Sequence, residues 1–420
     1  MKFRQLAMRL GRLASVISLL ACLMLLWGAW RLTAPAFTGI PLATRSPVAI
    51  ARTESIRVSL LPEGVRELEI EVSGPFRVKP VGGDGVLYTA ERLGRSRVTA
   101  TARGLRIGQR EFATTKLEIV PSNSPAIWVE AHQYRGSVRL YRLSGNLVLA
   151  VNALPLEEYL ASVVDSEMPA AFPDEARKAQ AIVARTYARY QMRQAGSEAR
   201  SDLYASTRSQ KYLGFQYRDP SGRLLAGESA ASRRLVEATR GQVCTYKNQI
   251  LCTYYSAVCG GGTVRGTEVF SDAAPPLQPV RCSWCQEARL YRWTAEITKA
   301  EMRDSLKSLL ERDGQTLGEL QTIVPIRNTG RSLPEFDLHA ARQTVRVTGN
   351  DLRQALAGHG LYGPRFSITD KGRNWLISGR GHGHGVGLCQ WGARGLALEG
   401  KTCNEILQHY YPGVRLTTMK

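Results

Sequence analysis

The stretch that decides the fold is Leu156-Glu-Glu-Tyr-Leu-Ala-Ser-Val-Val-Asp-Ser-Glu-Met-Pro-Ala-Ala-Phe-Pro-Asp-Glu-Ala-Arg-Lys-Ala-Gln-Ala-Ile-Val-Ala-Arg-Thr-Tyr-Ala188. Apolar residues recur at helical spacing from Leu156 to Val164 and again from Pro173 to Arg193, and Pro173-Asp-Glu makes a good first turn for the second helix. Glu167-Met-Pro lies between the two helices. On the N-terminal side, from Ile56 to about Val151, the pattern is strand-like: Ile56-Arg-Val-Ser-Leu, Leu68-Glu-Ile-Glu-Val, Val98-Thr-Ala-Thr and Leu147-Val-Leu-Ala-Val. On the C-terminal side a helix is expected over Ala230 to Thr239, with Ser229 as N-cap and Gly241 as its stop. Strands follow at Gln242 to Tyr246 and Ile250 to Ala257, turned at Lys247-Asn-Gln. A helix near Lys299 to Arg312 comes next, with strand-like pieces around Leu320 to Val324, Thr344 to Val347 and Trp375 to Ile377. Two helices, about Gly387 to Leu398 and Thr402 to Tyr410, complete the chain. Strands and helices in separate runs define an α+β protein: a strand-rich N-terminal part, a central helical pair carrying the Glu-Met-Pro motif, and a mixed C-terminal part. The expected globular domain spans 54–415, divided into 54–151 and 152–415.

Working further outward, residues 37–53 read as a linker and residues 1–36 as a signal peptide or membrane anchor. Leu13 to Trp30 are 18 uncharged positions preceded by basic residues. Ala34-Pro-Ala offers a cleavage site, whereas Trp27, Trp30 and Arg31 resemble interfacial anchors of a retained segment. Either way the chain is exported to the cell envelope, membrane-anchored or secreted into the periplasmic or outer space. The 420 residues are 44% hydrophobic and 22% charged, which excludes intrinsic disorder and a polytopic membrane protein for the bulk. The formal charge of +20 favours an anionic partner. Export removes nucleic acid from that set and leaves the envelope.

Cys252-x6-Cys259 and Cys282-x2-Cys285 suit a structural zinc site, with no cofactor needed for catalysis. The alternative is a cross-strand Cys244–Cys252 disulfide, which an exported chain permits. Cys389 and Cys403 read as packing residues. Gly381-His-Gly-His-Gly-Val-Gly frees the backbone for unusual dihedrals and close approach to a ligand. Its His382 and His384 are a metal pair or cleft residues, and Trp391 is either a sugar-stacking ring or core. Lys178 and Arg185 share one helix face, where basic groups can hold substrate oxygens or simply face solvent.

The opening stretch, together with Gly379-Arg-Gly-His-Gly-His-Gly-Val-Gly-Leu-Cys-Gln-Trp-Gly-Ala and His409-Tyr-Tyr-Pro-Gly, resembles the stage II sporulation protein D / amidase enhancer (SpoIID/LytB) family. Ser209-Gln-Lys-Tyr-Leu-Gly, Cys259-Gly-Gly-Gly-Thr and Val347-Thr-Gly-Asn-Asp-Leu-Arg stand in order between them, so the resemblance runs from about Ile56 to Gly413. It implies a peptidoglycan lytic transglycosylase with Glu167 as acid/base. It also implies substrate contacts from Arg185, Tyr187, Gln210, Tyr212, His384 and Gln390, with Trp391 following, and it lends support to the zinc site. The family's other branch implies a non-catalytic wall-binding module that stimulates a cell-wall amidase. The chemistry suits one carboxyl group: it protonates the leaving oxygen, then takes the proton of the muramic acid 6-hydroxyl as that oxygen attacks C1. Such a group must be protonated at neutral pH and so partly buried, and Phe172 close by lowers the local polarity. By local sequence alone Glu167 is an ordinary helix-end residue, and Glu157, Glu158 and Glu175 are accounted for by helix dipoles. Asp165, two residues away, shifts the Glu167 pKa in a direction the sequence leaves open.

Overall fold

Alternation sets the first part of the chain. In the Glu67–Val72 strand, Leu68, Ile70 and Val72 are buried while Glu67 faces solvent. The computed structural model describes residues 54–311, 320–326, 330, 332–340 and 343–419, and strands of this kind build two sheets in it. The first has seven strands in the order Leu203–Tyr204, Ser55–Ser59, Leu147–Pro155, Ser137–Leu143, Lys116–Pro121, Phe76–Pro80, Tyr88–Ala90. The second has eight and runs from Leu224–Ala226 to Arg110–Phe112. Pairing is antiparallel except where Leu203–Tyr204 joins Ser55–Ser59. Ile56, Val58, Ile70, Val98, Leu117 and Leu140 from the two sheets share one core. The segment expected to be a signal peptide or anchor, and the linker after it, lie outside the described residues. Among those described, no helix is long and apolar enough to cross a membrane.

The described residues form seven α-helices: α1 (Leu156–Glu167), α2 (Asp174–Ala195), α3 (Ala230–Ala238), α4 (Lys299–Glu311), α5 (Gly349–Ala355), α6 (Gln390–Leu398) and α7 (Cys403–Tyr410). In α1, Leu156, Tyr159, Leu160, Val163 and Val164 form one apolar stripe that docks onto the sheet core. The helix stops because Pro169 disfavours helical backbone at Met168, which is extended. Glu167 therefore sits on its last turn. Helix α2 is lined by alanines at 176, 179, 181, 184 and 188, which let neighbours approach on every side. One side joins the sheet core. The other joins a second core with Met168, Phe172, Leu388, Ala393 and Tyr410.

Two buried arginines tie α2 to α1. Arg177 pairs with Asp165. Arg185 grips Glu157 with both ends of its fork, Nε at 2.9 Å and Nη2 at 2.6 Å, and also donates to the Val236 and Gln242 carbonyls. Arg185 is wholly buried and does not reach a cleft, which corrects its expected role as a substrate residue. Tyr212 is corrected likewise. Its hydroxyl donates to Asn152 Oδ1 at 2.8 Å, and its ring tilts against Tyr159 with centroids 4.9 Å apart, inside the sheet core.

Beyond Cys285 the chain forms a third core around Trp293, Ile297, Met302, Phe336, Leu352 and Ile377. A sheet of Arg292–Thr298, Asn374–Arg380 and Arg365–Asp370 and another of Leu320–Ile326, Glu335–Ala340 and Thr344–Thr348 enclose it with α4 and α5. Helix α5 was not anticipated. It starts in a capping box between Thr348 and Asp351. Helix α6 begins at Gln390 rather than Gly387, because Leu388–Cys389 is extended and pairs with Tyr255–Ser256. Replacing Arg185 by Leu would leave the partly buried Glu157 carboxylate without its bidentate partner. The expected loss is about 3 kcal/mol in urea unfolding, and a loss below about 1 kcal/mol would contradict the bracing role.

Candidate active site

Glu167 projects from the end of α1 into a groove that α6 and the Tyr254–Tyr255 segment complete. Its Oε1 accepts the Lys211 backbone N–H at 2.7 Å. Its Oε2 faces Gln390 Nε2 at 3.5 Å, and that same amide reaches Gln180 Oε1 at 3.4 Å. The Tyr255 hydroxyl also bonds the carboxyl. Tyr255 is itself aligned by Gln210, whose Nε2 donates to the phenol oxygen at 3.1 Å while its Oε1 accepts from Tyr159 at 3.1 Å. Burial keeps the Tyr255 phenol protonated, with its pKa well above the ordinary value. The carboxyl has no ion-pair partner among the described residues. Burial raises its pKa above the ordinary carboxylate value, and the bonds from Lys211, Gln390 and Tyr255 offset only part of the rise.

The cavity in front of Glu167 holds about 660 Å³. Tyr187, Tyr254, Tyr255, His384 and Gln390 line it from the main body, and Arg353, Leu361 and Tyr362 from the third-core region. Glu167 is the one acid among the lining residues. His384 Nδ1 accepts the Val386 N–H at 3.0 Å, and its ring stands edge-on to Phe270 and Tyr254. Burial lowers its pKa to about 4, so the ring is neutral at pH 7, and a hydrogen bond to the Tyr255 backbone offsets only part of that shift. His382 stands edge-on to Tyr362 at 5.6 Å. Among the described residues no third ligand joins this histidine pair. Among the described residues Arg353 bonds Asn350 Oδ1 and has no carboxylate partner.

Glycine is required in the loop that presents these histidines. Gly381, Gly383, Gly385 and Gly387 all have left-handed φ, between 71° and 95°, and a Cβ on Gly387 would stand 1.9 Å from the Tyr254 carbonyl oxygen. The structure thus brings Glu167, Tyr187, His384 and Gln390 to one cavity and places Gln210 behind it, positioning Tyr255. Trp391 lies outside the lining. It packs edge-on against Phe172 with centroids 5.3 Å apart, and its backbone N–H bonds the Ala257 carbonyl. Sequence reasoning missed Tyr254, Tyr255 and Tyr362, which carry no periodic or motif signal. Arg353 ends the Val347-Thr-Gly-Asn-Asp-Leu-Arg stretch, whose spacing alone gives no sign that it faces the groove.

Four thiols converge beside the groove. Cys259, Cys282, Cys285 and Cys389 are buried with their sulfurs all within 4.8 Å of one another, and Cys259 and Cys285 are 3.8 Å apart. Four sulfurs set tetrahedrally about 2.3 Å from a zinc ion would be about 3.8 Å apart, so the donor set fits that metal. Cys252 is not among them and lies instead 3.7 Å from Gln191 Nε2 on α2. Cys389, expected to be packing, takes the fourth corner. Cys244 and Cys252 are both free thiols, and Cys244 stands opposite Leu416 in its sheet, so the alternative disulfide is not formed.

Residues 144–246 match the family model described as stage II sporulation protein (SpoIID), and residues 283–387 match a domain of unknown function. Stage II sporulation protein D of Bacillus subtilis is 30% identical over 289 residues, 67% of this chain and 79% of that protein. The chain belongs to the SpoIID/LytB family. An uncharacterized protein of Brachyspira hyodysenteriae is 29% identical over 87% of this chain and 94% of its own length. The amidase enhancer of Bacillus subtilis is 24% identical over 84% of this chain, which spans about half (52%) of that protein.

The raised pKa has a consequence for stability. The folded state holds the Glu167 proton more tightly than the unfolded chain, so wild type loses stability as pH rises from the ordinary carboxylate pKa through the raised one. Glu167→Gln removes that loss. Its stability relative to wild type should therefore grow as pH rises above the ordinary carboxylate value and level off beyond the raised one. A pH-independent difference in urea unfolding would contradict the buried carboxyl.

Proposed function

We propose that this chain is an envelope peptidoglycan lytic transglycosylase that cuts glycan strands between N-acetylmuramic acid and N-acetylglucosamine, with Glu167 as its acid/base. The observation that carries this reading is a largely buried carboxyl that has no ion-pair partner among the described residues and is the one acid among the residues lining the groove. A hydrolase needs a second carboxylate to activate water or to attack C1. Here the Glu167 proton goes to the glycosidic oxygen as the C1–O bond breaks, releasing the N-acetylglucosamine 4-hydroxyl. The carboxylate then takes the proton of the muramic acid 6-hydroxyl as O6 bonds to C1, and the 1,6-anhydro product leaves the carboxyl protonated again. Between the two steps Lys211 N–H, Gln390 and Tyr255 hold the carboxylate. The tyrosine faces suit pyranose rings. The names of the relatives, stage II sporulation protein D and amidase enhancer, support a role at the cell wall. The amidase-enhancer relative favours a second reading, a wall-binding module that stimulates an amidase without cutting glycan.

Purified protein incubated with isolated glycan strands should release fragments whose muramic acid ends are one water lighter than reducing ends, read by mass spectrometry. Glu167→Gln should slow release by about a hundredfold or more. Activity should fall as pH rises through the raised Glu167 pKa, because the proton donor is lost. Reducing ends would contradict the non-hydrolytic route. Undiminished biological activity of Glu167→Gln, with glycan still bound, would favour the enhancer reading.

We further assign a structural zinc to Cys259, Cys282, Cys285 and Cys389. It would anchor Cys389, the residue before Gln390, to the Cys259 and Cys282–Cys285 loops and so fix the amide that faces Glu167. Its chemistry there is closed coordination with no part in the reaction. Elemental analysis should find about one zinc per chain. Cys282→Ser should lose the metal and lower the melting temperature, whereas Cys252→Ser should keep it. Retention of metal by Cys282→Ser would refute the site.

A further inference from the structure

A second cavity, of about 900 Å³, opens over the sheet formed by Arg292–Thr298, Asn374–Arg380 and Arg365–Asp370. Its floor has an unusual make-up. Arg292 lies directly across from Arg380, and Arg380 directly across from Arg365, so three guanidinium side chains stand in one cross-strand row on one face. The next row on that face is Thr294, Ser378 and Ser367, again in register. All six residues line the cavity, and no acid does.

None of the three arginines has a carboxylate partner among the described residues. The Arg365 Nη2 donates to the Thr263 carbonyl, while its buried Nε has no partner. The acid whose charge reaches Arg365 is Glu268, and its carboxylate is already engaged by the Ser332 and Leu333 N–H groups and by Arg265. Like charges set directly opposite one another destabilise a sheet. A bound anion would reverse the sign of that interaction. With strands about 4.8 Å apart and alternate residues about 7 Å apart, the donors cover roughly 10 by 7 Å. A single planar carboxylate uses two oxygens and leaves most of these donors idle. Tetrahedral phosphate offers more acceptors and takes guanidinium forks from several sides.

We propose that this Arg292–Arg380–Arg365 row, with its three hydroxyls, is a phosphate-binding site for a chain that carries phosphate groups. The site is distinct from the Glu167 groove and does not depend on the reaction assigned to it. Arg380 stands two residues before His382, and Gly260 of the Cys259–Gly260 loop walls the cavity, so a strand held here would lie beside the groove. The donors suit a phosphodiester repeat, and the same chemistry would also take free phosphate.

The test is calorimetric titration of the full chain with a glycerol phosphate oligomer, with inorganic phosphate and with polyglutamate. The oligomer should bind, with affinity falling as salt rises. Arg380→Gln should weaken it about tenfold, and the Arg292→Gln/Arg380→Gln double variant more. Comparable binding of inorganic phosphate, lost in the same variants, would support the phosphate site and identify free phosphate as the ligand. Both side chains are exposed, so the double variant should melt no lower than wild type and, relieved of repulsion, somewhat higher. The proposal is overturned if polyglutamate binds as tightly as the oligomer or if the variants keep wild-type affinity. A lower melting temperature of the ligand-free double variant would also overturn it, because the row would then be structural.

Discussion

A largely buried carboxyl group with no ion-pair partner among the described residues is the constraint on which the rest of this molecule turns. Burial makes the ionised form costly, so Glu167 holds its proton at pH values where an exposed glutamate has lost it. Three hydrogen bonds keep the ionised form accessible, and proton transfer in both directions needs that accessibility. Each bond comes from a different part of the chain: Lys211 from the segment after α2, Tyr255 from the short strand at 255–256, Gln390 from the first turn of α6. Much of the fold can be understood as the means of bringing those parts together.

Helix α2 is the central support. Its alanine-lined surface lets the sheet core press on one side and α6 and α7 on the other, and its two buried arginines fix α1 against it. Buried ion pairs add little net stability compared with apolar packing, but they are costly to break and so restrict the helix pair to one register. Pro169 then ends α1 where Glu167 meets the groove. On the far side, Cys389 lies in the thiol cluster and the parallel pairing of Leu388–Cys389 with Tyr255–Ser256 sets Gln390 beside Tyr255. The third-core region contributes Arg353 and Tyr362 to the opposite wall, placing a cation and an aromatic edge above the glycine loop.

The elements that local periodicity can specify were legible in the sequence. The stripe of α1, the first turn of α2 and the alternation in Glu67–Val72 follow from residue spacing, and the structure contains all three. Glu167 was legible because it stands in a motif. Motif membership, however, does not separate residues that face a ligand from residues that hold the scaffold, and Arg185 and Tyr212 are scaffold. The thiols were read by proximity in sequence, which favoured Cys252. The fourth corner is Cys389, more than a hundred residues from Cys285 and delivered by the glycine loop, and no local spacing encodes that. The same limit hid Tyr255 and the arginine row, since both depend on strand pairing between distant segments.

The central claim is that Glu167 is a buried carboxyl poised to hold a proton, and it can be measured directly. Side-chain carboxyl carbon-13 resonances followed through a pH titration, with Glu167 assigned by its disappearance in Glu167→Gln, report its pKa. The expected result is a midpoint clearly above the ordinary glutamate value of about 4.3, and higher still in Tyr255→Phe, which lacks a donor to the ionised form. A midpoint at or below the ordinary value would contradict the account, because the group would then be ionised at neutral pH and could not serve as the acid.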